Sequence, residues 1–176
     1  LESNPQFHGK VVLLMIVVPS RIGVVQYDRM KRQVEERVGK INGHFGRVGW
    51  TPVVYQYRHV PFSSLAAFYS VSDVCLVTPL RDGMNLVAKE YVATRTDGTG
   101  VLILSEMAGS AKELPEAIII NPNNRSEIAS ALKEALETPL EEQKRRNKIM
   151  QRRLRRYHVT RWANDFLNNL VALREV

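Results

Sequence analysis

Val74-Cys75-Leu76-Val77-Thr78-Pro79-Leu80-Arg81-Asp82-Gly83-Met84-Asn85-Leu86-Val87-Ala88-Lys89-Glu90-Tyr91 holds a strand, a loop and a helix start within eighteen residues. Val74 to Val77 is apolar without alternation, the pattern of a strand buried on both faces. Pro79 and Gly83 break that run, and a helix begins near Asn85. A strand that feeds a glycine-bearing loop and then a helix N-terminus brings backbone N–H groups and the helix dipole to one spot, where they favour an anion. Glu90 lies about a turn and a half into the helix, where its carboxylate can accept hydrogen bonds from a sugar diol. Asp82 and Asn85 at the loop tip can hold further hydroxyls. A ligand with both phosphate and sugar parts suits that set, and a nucleotide sugar has both.

Apolar runs and helical periods alternate outward from this segment. Val11–Val18 reads as a strand, and residues 25–45 as an amphipathic helix with Tyr27, Met30, Val34, Val38 and Ile41 at spacings of three and four. Val53–Tyr57 is a second strand, and Pro61 opens a helix through Leu65, Phe68 and Tyr69. Val74–Val77 is the third strand, with a helix over 85–93 after it. Val101–Leu104 is the fourth, followed by a glycine loop and a short helix near Ala111–Leu114. Ala117–Ile120 is the fifth. Residues 126–137 are helical, and Pro139 opens a long basic helix with a break near His158. Strands apolar on both faces that alternate with helices predict an α/β fold with a parallel, doubly wound sheet. In such sheets ligands bind outside the carboxyl ends of the strands. The loops that qualify are Pro19–Gly23, Arg58–Pro61, Thr78–Asn85 and Ser105–Ser110. Leu1 to Pro5 reads as the tail of a helix followed by a stop, and there is no initiator Met, so the chain is expected to be cut from something longer.

Composition narrows the function classes. A chain of 176 residues, 44% apolar and 24% charged, can bury an ordinary globular core. The longest apolar run, Val11–Val18, is too short to span a membrane. Cys75 stands alone inside a strand, which leaves no internal disulfide and suits a cytoplasmic setting. His8, His44, His59 and His158 lack metal-ligand spacing, so no metal and no cofactor are expected. The net charge of +7 is concentrated in residues 141–161, which hold nine Lys/Arg and two Glu. Such a run can bind RNA or a membrane surface, but it is more often a solvated helix face or one docked on an acidic partner. Tyr157 and Trp162, as isolated aromatics, make no base-stacking platform. Neither nucleic acid nor membrane is expected as a partner.

Pro79-Leu80-Arg81-Asp82-Gly83-Met84-Asn85-Leu86-Val87-Ala88-Lys89-Glu90-Tyr91 resembles the donor-binding motif of the trehalose-6-phosphate synthases, retaining glycosyltransferases with two Rossmann-like domains of the GT-B type. Gly9-Lys10-Val11-Val12-Leu13-Leu14, Val18-Pro19-Ser20-Arg21, Lys40-Ile41-Asn42-Gly43, Trp50-Thr51-Pro52-Val53, Leu104-Ser105-Glu106-Met107-Ala108-Gly109 and Thr160-Arg161-Trp162 follow in the family's order. The resemblance implies a C-terminal, donor-binding half. Residues 1–138 would form the nucleotide-sugar domain without its first strand. Residues 139–176 would be basic helices that pack on it or return to an N-terminal domain outside the chain. The implied reaction transfers glucose from UDP-glucose to glucose 6-phosphate.

By this resemblance Glu90 binds the ribose hydroxyls, and the backbone around Leu86, Val87, Ala88 and Lys89 meets the diphosphate. Asp82, Gly83, Met84 and Asn85 line the glucosyl pocket, Asp82 and Asn85 positioning the reacting sugar. Val60 holds uracil through its backbone, and Arg21 reaches the acceptor phosphate. Other readings stay open. Arg81 and Lys89 also fit as solvent-facing charges, Glu106 as a loop cap, Asp82-Gly83 as an ordinary turn and Arg21 as a surface charge. Ile22-Gly23 stands where near relatives often have an acidic residue. The family's Arg-x-Asp-x-x-Lys-Gly motif lies upstream of residue 1, and Arg95-Thr96-Asp97 is only an echo of it. The alternatives are a related transferase with another phosphorylated acceptor, such as glycerol phosphate, or a non-catalytic sugar-nucleotide-sensing module. A fused or associated phosphatase domain and a homo-oligomer are further expectations.

Overall fold

The computed structural model describes residues 1–19 and 23–172. Arg21 lies outside the described residues. The chain divides into two compact units, Leu1–Pro61 and Phe62–Val176.

The first unit is a strand–helix–strand motif. Strand β1 (Leu13–Val17), helix α1 (Val25–Phe45) and strand β2 (Val53–Tyr57) follow in order, and β1 pairs with β2 in parallel from Leu13↔Val53 to Val17↔Tyr57. The Asn42 side chain ties α1 to β2: its Nδ2 donates to the Val53 carbonyl at 2.9 Å, and its Oδ1 accepts the Val53 N–H at 3.0 Å. Trp50 Nε1 donates to the Val11 carbonyl at 3.0 Å, and the Trp50 ring stacks with His8, which also meets Phe45 edge-on. Leu1–Pro5 is not a helix tail. Asn4 N–H closes a turn on Leu1 O, and a 3-10 turn, Pro5–Phe7, follows. β1 is also shorter than its apolar run, because its ladder ends with its five-residue partner. The stripe along α1 has the expected period, yet Met30 is 61% exposed and Tyr27 and Ile41 are exposed as well. A pair of short strands has too little apolar surface to cover a helix of 21 residues.

The second unit is a three-layer sandwich. It contains α2 (Phe62–Val71), β3 (Val74–Val77), α3 (Leu86–Thr94), β4 (Val101–Ser105), a 3-10 turn (Gly109–Lys112), β5 (Ile118–Ile120), α4 (Arg125–Glu137), α5 (Leu140–Arg156) and α6 (Val159–Ala172). Its sheet runs β3-β4-β5, all parallel. Every residue of β4 is buried, and alternate side chains feed opposite faces. Leu102 and Leu104 join Tyr69, Ala88, Tyr91, Val92, Leu114 and Met150 on one face, whereas Val101 and Ile103 join Ile118, Ile120, Ala131 and Ala135 on the other. The parallel α/β character and the helices on both faces match the sequence pattern. Within the first unit β1 and β2 form one parallel ladder, and within the second β3, β4 and β5 form another. Apolar runs locate strands, but the partner of each strand is a matter of ladder geometry.

Amide side chains dock the basic helix. Asn147, fully buried on α5, donates from Nδ2 to Thr99, Gly100 and Gln143 carbonyls at 3.1, 2.7 and 3.0 Å. Gln151 Nε2 caps the last turn of α3 through Val92 O and Arg95 O at 3.1 and 2.7 Å. Arg153 pairs with Glu116 at 2.6 Å. Arg145 and Arg146 share Glu142, and their hydrogen bonds pull its carboxyl down to about 2. The cations thus mostly face outward or neutralise local carboxylates.

Arg95 is the buried charge among the described residues of this unit. Its guanidinium donates to the Tyr69, Ser70 and Ser72 carbonyls at the end of α2 and to Thr99, and it pairs with Asp97 at 3.2 Å. It therefore acts as a C-terminal cap for α2, where carbonyls lack helical partners. Arg95→Met should strand those carbonyls and lower stability by about 2–4 kcal/mol. Urea unfolding followed by far-UV circular dichroism reads the loss, and an unchanged midpoint would refute this role.

Candidate functional site

The segment after β3 is shaped by Asp82 and Asn85. Asp82 Oδ1 accepts the Met84 N–H at 3.0 Å, and Oδ2 accepts from Asn85 Nδ2 at 3.0 Å. Asn85 in turn caps α3, its Oδ1 accepting the Ala88 N–H at 2.9 Å. Asn85 sits at φ 77°, the only non-glycine residue at positive φ among the described residues. Asparagine tolerates that region better than most residues, and such backbone geometry tends to cluster at ligand sites.

A second loop holds this turn in place. Asp82 N–H donates to Met107 O at 3.2 Å, Gly109 N–H to Asp82 O at 2.9 Å, and Ser110 N–H to Met84 O at 2.7 Å. Asp82 and Ala108 form a parallel bridge that extends the β3–β4 pairing past the strand ends. Ser105 Oγ donates to Pro79 O at 2.8 Å and accepts the Met107 N–H at 3.1 Å. Gly109 packs so tightly that an added Cβ would strike the Gly83 carbonyl.

The cap at Ala88 leaves the Leu86 and Val87 N–H groups ahead of the helical bonds, as the first turn of any helix must. Both side chains are exposed. Glu90, one turn further on, is half-buried, with its Oε2 3.3 Å from the Tyr69 hydroxyl. These groups belong to the N-terminal part of α3, at the carboxyl end of β3. The turn offers amides for an anion, and the helix offers a carboxylate for hydroxyls.

The remaining anticipated residues fall as follows. Gly83 and Met84 are exposed at the loop tip. Ala88 is fully buried, with its N–H taken by Asn85. Lys89 is committed to Glu113, its ammonium 2.8 and 2.9 Å from the two carboxylate oxygens. Arg81 is exposed, and so is Glu106, whose backbone N–H donates to Ile120 O. Arg95 and Asp97 pair with each other in the α3–β4 connection rather than at the candidate site. Val60 belongs to the first unit, half-buried after β2. Sequence reasoning missed Tyr69, Glu113 and the role of Gly109, because each acts through a partner more than twenty residues away. Among the described residues no group of His, Cys, Asp or Glu gathers as a metal site requires. No described helix is long and apolar enough to cross a membrane. A concavity of about 410 Å³ lined by Lys148, Gln151, Arg152, Arg155 and Arg156 lies on α5, whose Gln151 caps the opposite end of α3.

The sequence profile of glycosyltransferase family 20 matches residues 1–172. A bifunctional trehalose-6-phosphate synthase/phosphatase of Thermoproteus tenax is 51% identical over 174 residues, covering 99% of this chain and 24% of that protein. A solved structure of an E. coli protein bound with UDP-2-fluoro glucose superposes with a TM-score of 0.93 at 44% identity, over 97% of this chain and 38% of that one. An α,α-trehalose-phosphate synthase (UDP-forming) from Burkholderia xenovorans, in complex with glucose-6-phosphate, gives 0.91 at 42% identity, over 96% and 37%. The chain thus spans about a quarter to two fifths of the length of these relatives.

The Met84 N–H, followed by the Asn85 amide, holds the Asp82 carboxyl below the usual aspartate value of about 3.9. Because the folded value is the lower one, the turn is stabilised at pH above the ordinary value, and this support drains away as pH falls through the folded value. An NMR titration should find the Asp82 midpoint below that of an exposed aspartate; a midpoint at or above it would mean the turn does not form in solution. Gly109→Ala should push the two loops apart, shifting the Gly83 and Met84 amide resonances most. Spectra unchanged at those two residues would contradict the close packing.

Proposed function

Because the chain belongs to glycosyltransferase family 20, we propose that it is the donor-binding part of a transferase that moves glucose from UDP-glucose to glucose 6-phosphate, giving trehalose 6-phosphate and UDP. The observation that carries this reading is the pairing of an open helix N-terminus at Leu86 and Val87 with the Glu90 carboxylate one turn on. Amides meet a diphosphate, and a carboxylate meets a vicinal diol. The UDP-2-fluoro glucose on the E. coli relative and the glucose-6-phosphate on the Burkholderia enzyme support the two substrate classes.

In this reading the anomeric C–O bond to the diphosphate breaks, and a new bond forms to the acceptor's hydroxyl oxygen, whose proton leaves with the departing diphosphate. Negative charge grows on the leaving group, and the Leu86 and Val87 amides, already oriented by the Asn85 cap, stabilise it without reorganising. Asp82 and Asn85 present polar atoms toward the sugar while bracing each other. Gly83 and Met84 at the loop tip would line the glucosyl pocket. Lys89 contributes through its backbone, since its ammonium is engaged by Glu113. Val60, through its backbone to uracil, and Arg21, toward the acceptor phosphate, are proposed on the sequence motif alone. The bifunctional Thermoproteus relative supports a companion phosphatase activity that consumes the product.

Glu90→Gln should weaken UDP binding about ten- to a hundred-fold, the worth of charge-assisted bonds to two hydroxyls. Titration calorimetry with UDP on both proteins measures it. Equal affinities would remove Glu90 from the donor site.

A further inference from the structure

Glu90 can grip a diol only if its carboxylate is aimed, and α3 alone does not aim it. A glutamate side chain has three rotatable bonds, and among the described residues the Glu90 carboxylate has one side-chain partner, the Tyr69 hydroxyl at 3.3 Å. The contact is longer than the usual 2.7–2.8 Å for hydroxyl donors and engages only Oε2, which leaves Oε1 without a side-chain hydrogen bond among the described residues.

Tyr69 is itself immobilised. It is buried in the last turn of α2, and its ring meets Tyr91 edge-on at 6.4 Å between centroids. Tyr91 is fixed in turn by its own hydroxyl, which donates to Ser72 O at 3.1 Å. The Tyr69 carbonyl accepts from Arg95 Nη1 at 3.3 Å. Burial first, and then the neighbouring Glu90 carboxylate, push the phenol well above its ordinary value. It therefore stays protonated, and toward Glu90 it can only donate.

We infer that Tyr69 is a positioning residue for the donor: by holding Glu90 Oε2, it presents the carboxylate so that both ribose hydroxyls are gripped together, and it thereby sets discrimination between ribose and 2′-deoxyribose nucleotides. The inference rests on the proposal that Glu90 meets the ribose. A rigid carboxylate matches two neighbouring hydroxyls with its two oxygens. A carboxylate free to turn satisfies itself with one hydroxyl and water, so the second hydroxyl counts for less.

The test compares UDP with 2′-deoxyuridine diphosphate by titration calorimetry on the wild type, Tyr69→Phe, Glu90→Gln and the double variant. Tyr69→Phe should lower UDP affinity roughly three- to ten-fold and leave the deoxy ligand nearly unchanged, so that the ratio between the two ligands shrinks. The double variant should show no smaller ratio than Glu90→Gln alone. A thermal melt of Tyr69→Phe separates misfolding from mispositioning, and Tyr69→His, which keeps a ring donor, should recover part of the ratio if the phenylalanine variant melts early. A Tyr69→Phe protein that loses both ligands equally, or neither, overturns the inference. If Glu90→Gln alters discrimination and Tyr69→Phe does not, the inference fails while the Glu90 proposal stands. If Glu90→Gln leaves UDP affinity untouched, the proposal itself fails and takes this inference with it.

Discussion

The backbone contact between Gly109 and Gly83 sets the terms for everything at the candidate site. Two loops leaving parallel strands normally diverge, because nothing obliges their amides to pair. Here the pairing of β3 with β4 continues beyond both strands, through Asp82 and Ala108 and through the Ser110–Met84 hydrogen bond. That approach is possible only because Gly109 carries no Cβ, since one added there would strike the Gly83 carbonyl. Once the turn is pinned, Asp82 can brace Asn85, and Asn85 can cap α3 at an otherwise costly φ. Open amides belong to any helix start; this chain of contacts fixes where those of α3 are presented.

Polar groups inside the second unit act mainly on backbone ends. Arg95 closes the end of α2, Gln151 closes the end of α3, and Asn147 gathers carbonyls from the α3–β4 connection. Arg95 and Asn147 are buried and Gln151 half-buried, where an unpaired carbonyl would be expensive. Together they secure the two helices from which Tyr69 and Glu90 project. The placement of the Glu90 carboxylate thus depends on capping contacts well away from the candidate site, as expected of a site built on rigid elements.

The two units differ in how much they bury. β4 is fully enclosed between α3 on one side and α4 on the other, whereas no residue of α1 is buried. The first unit relies instead on specific hydrogen bonds, above all the reciprocal pair between Asn42 and Val53. Polar contacts of this kind set register and orientation but add only modest net stability.

Much of this was legible in the residues. Apolar runs located the strands, and β2 and β3 begin and end where the sequence places them. The alternation with helical periods implied parallel pairing, and Pro79, Gly83 and Asn85 marked the turn that carries the candidate site. Those are local signals: propensity, period and turn chemistry act within a few residues. Two features were decided only by tertiary structure. Lys89 turns to Glu113 and Tyr69 to Glu90, since a side chain's partner depends on which elements meet. The fit of Gly109 against the turn at Gly83 was not legible, because the close approach it permits involves a residue twenty-six positions earlier in the chain.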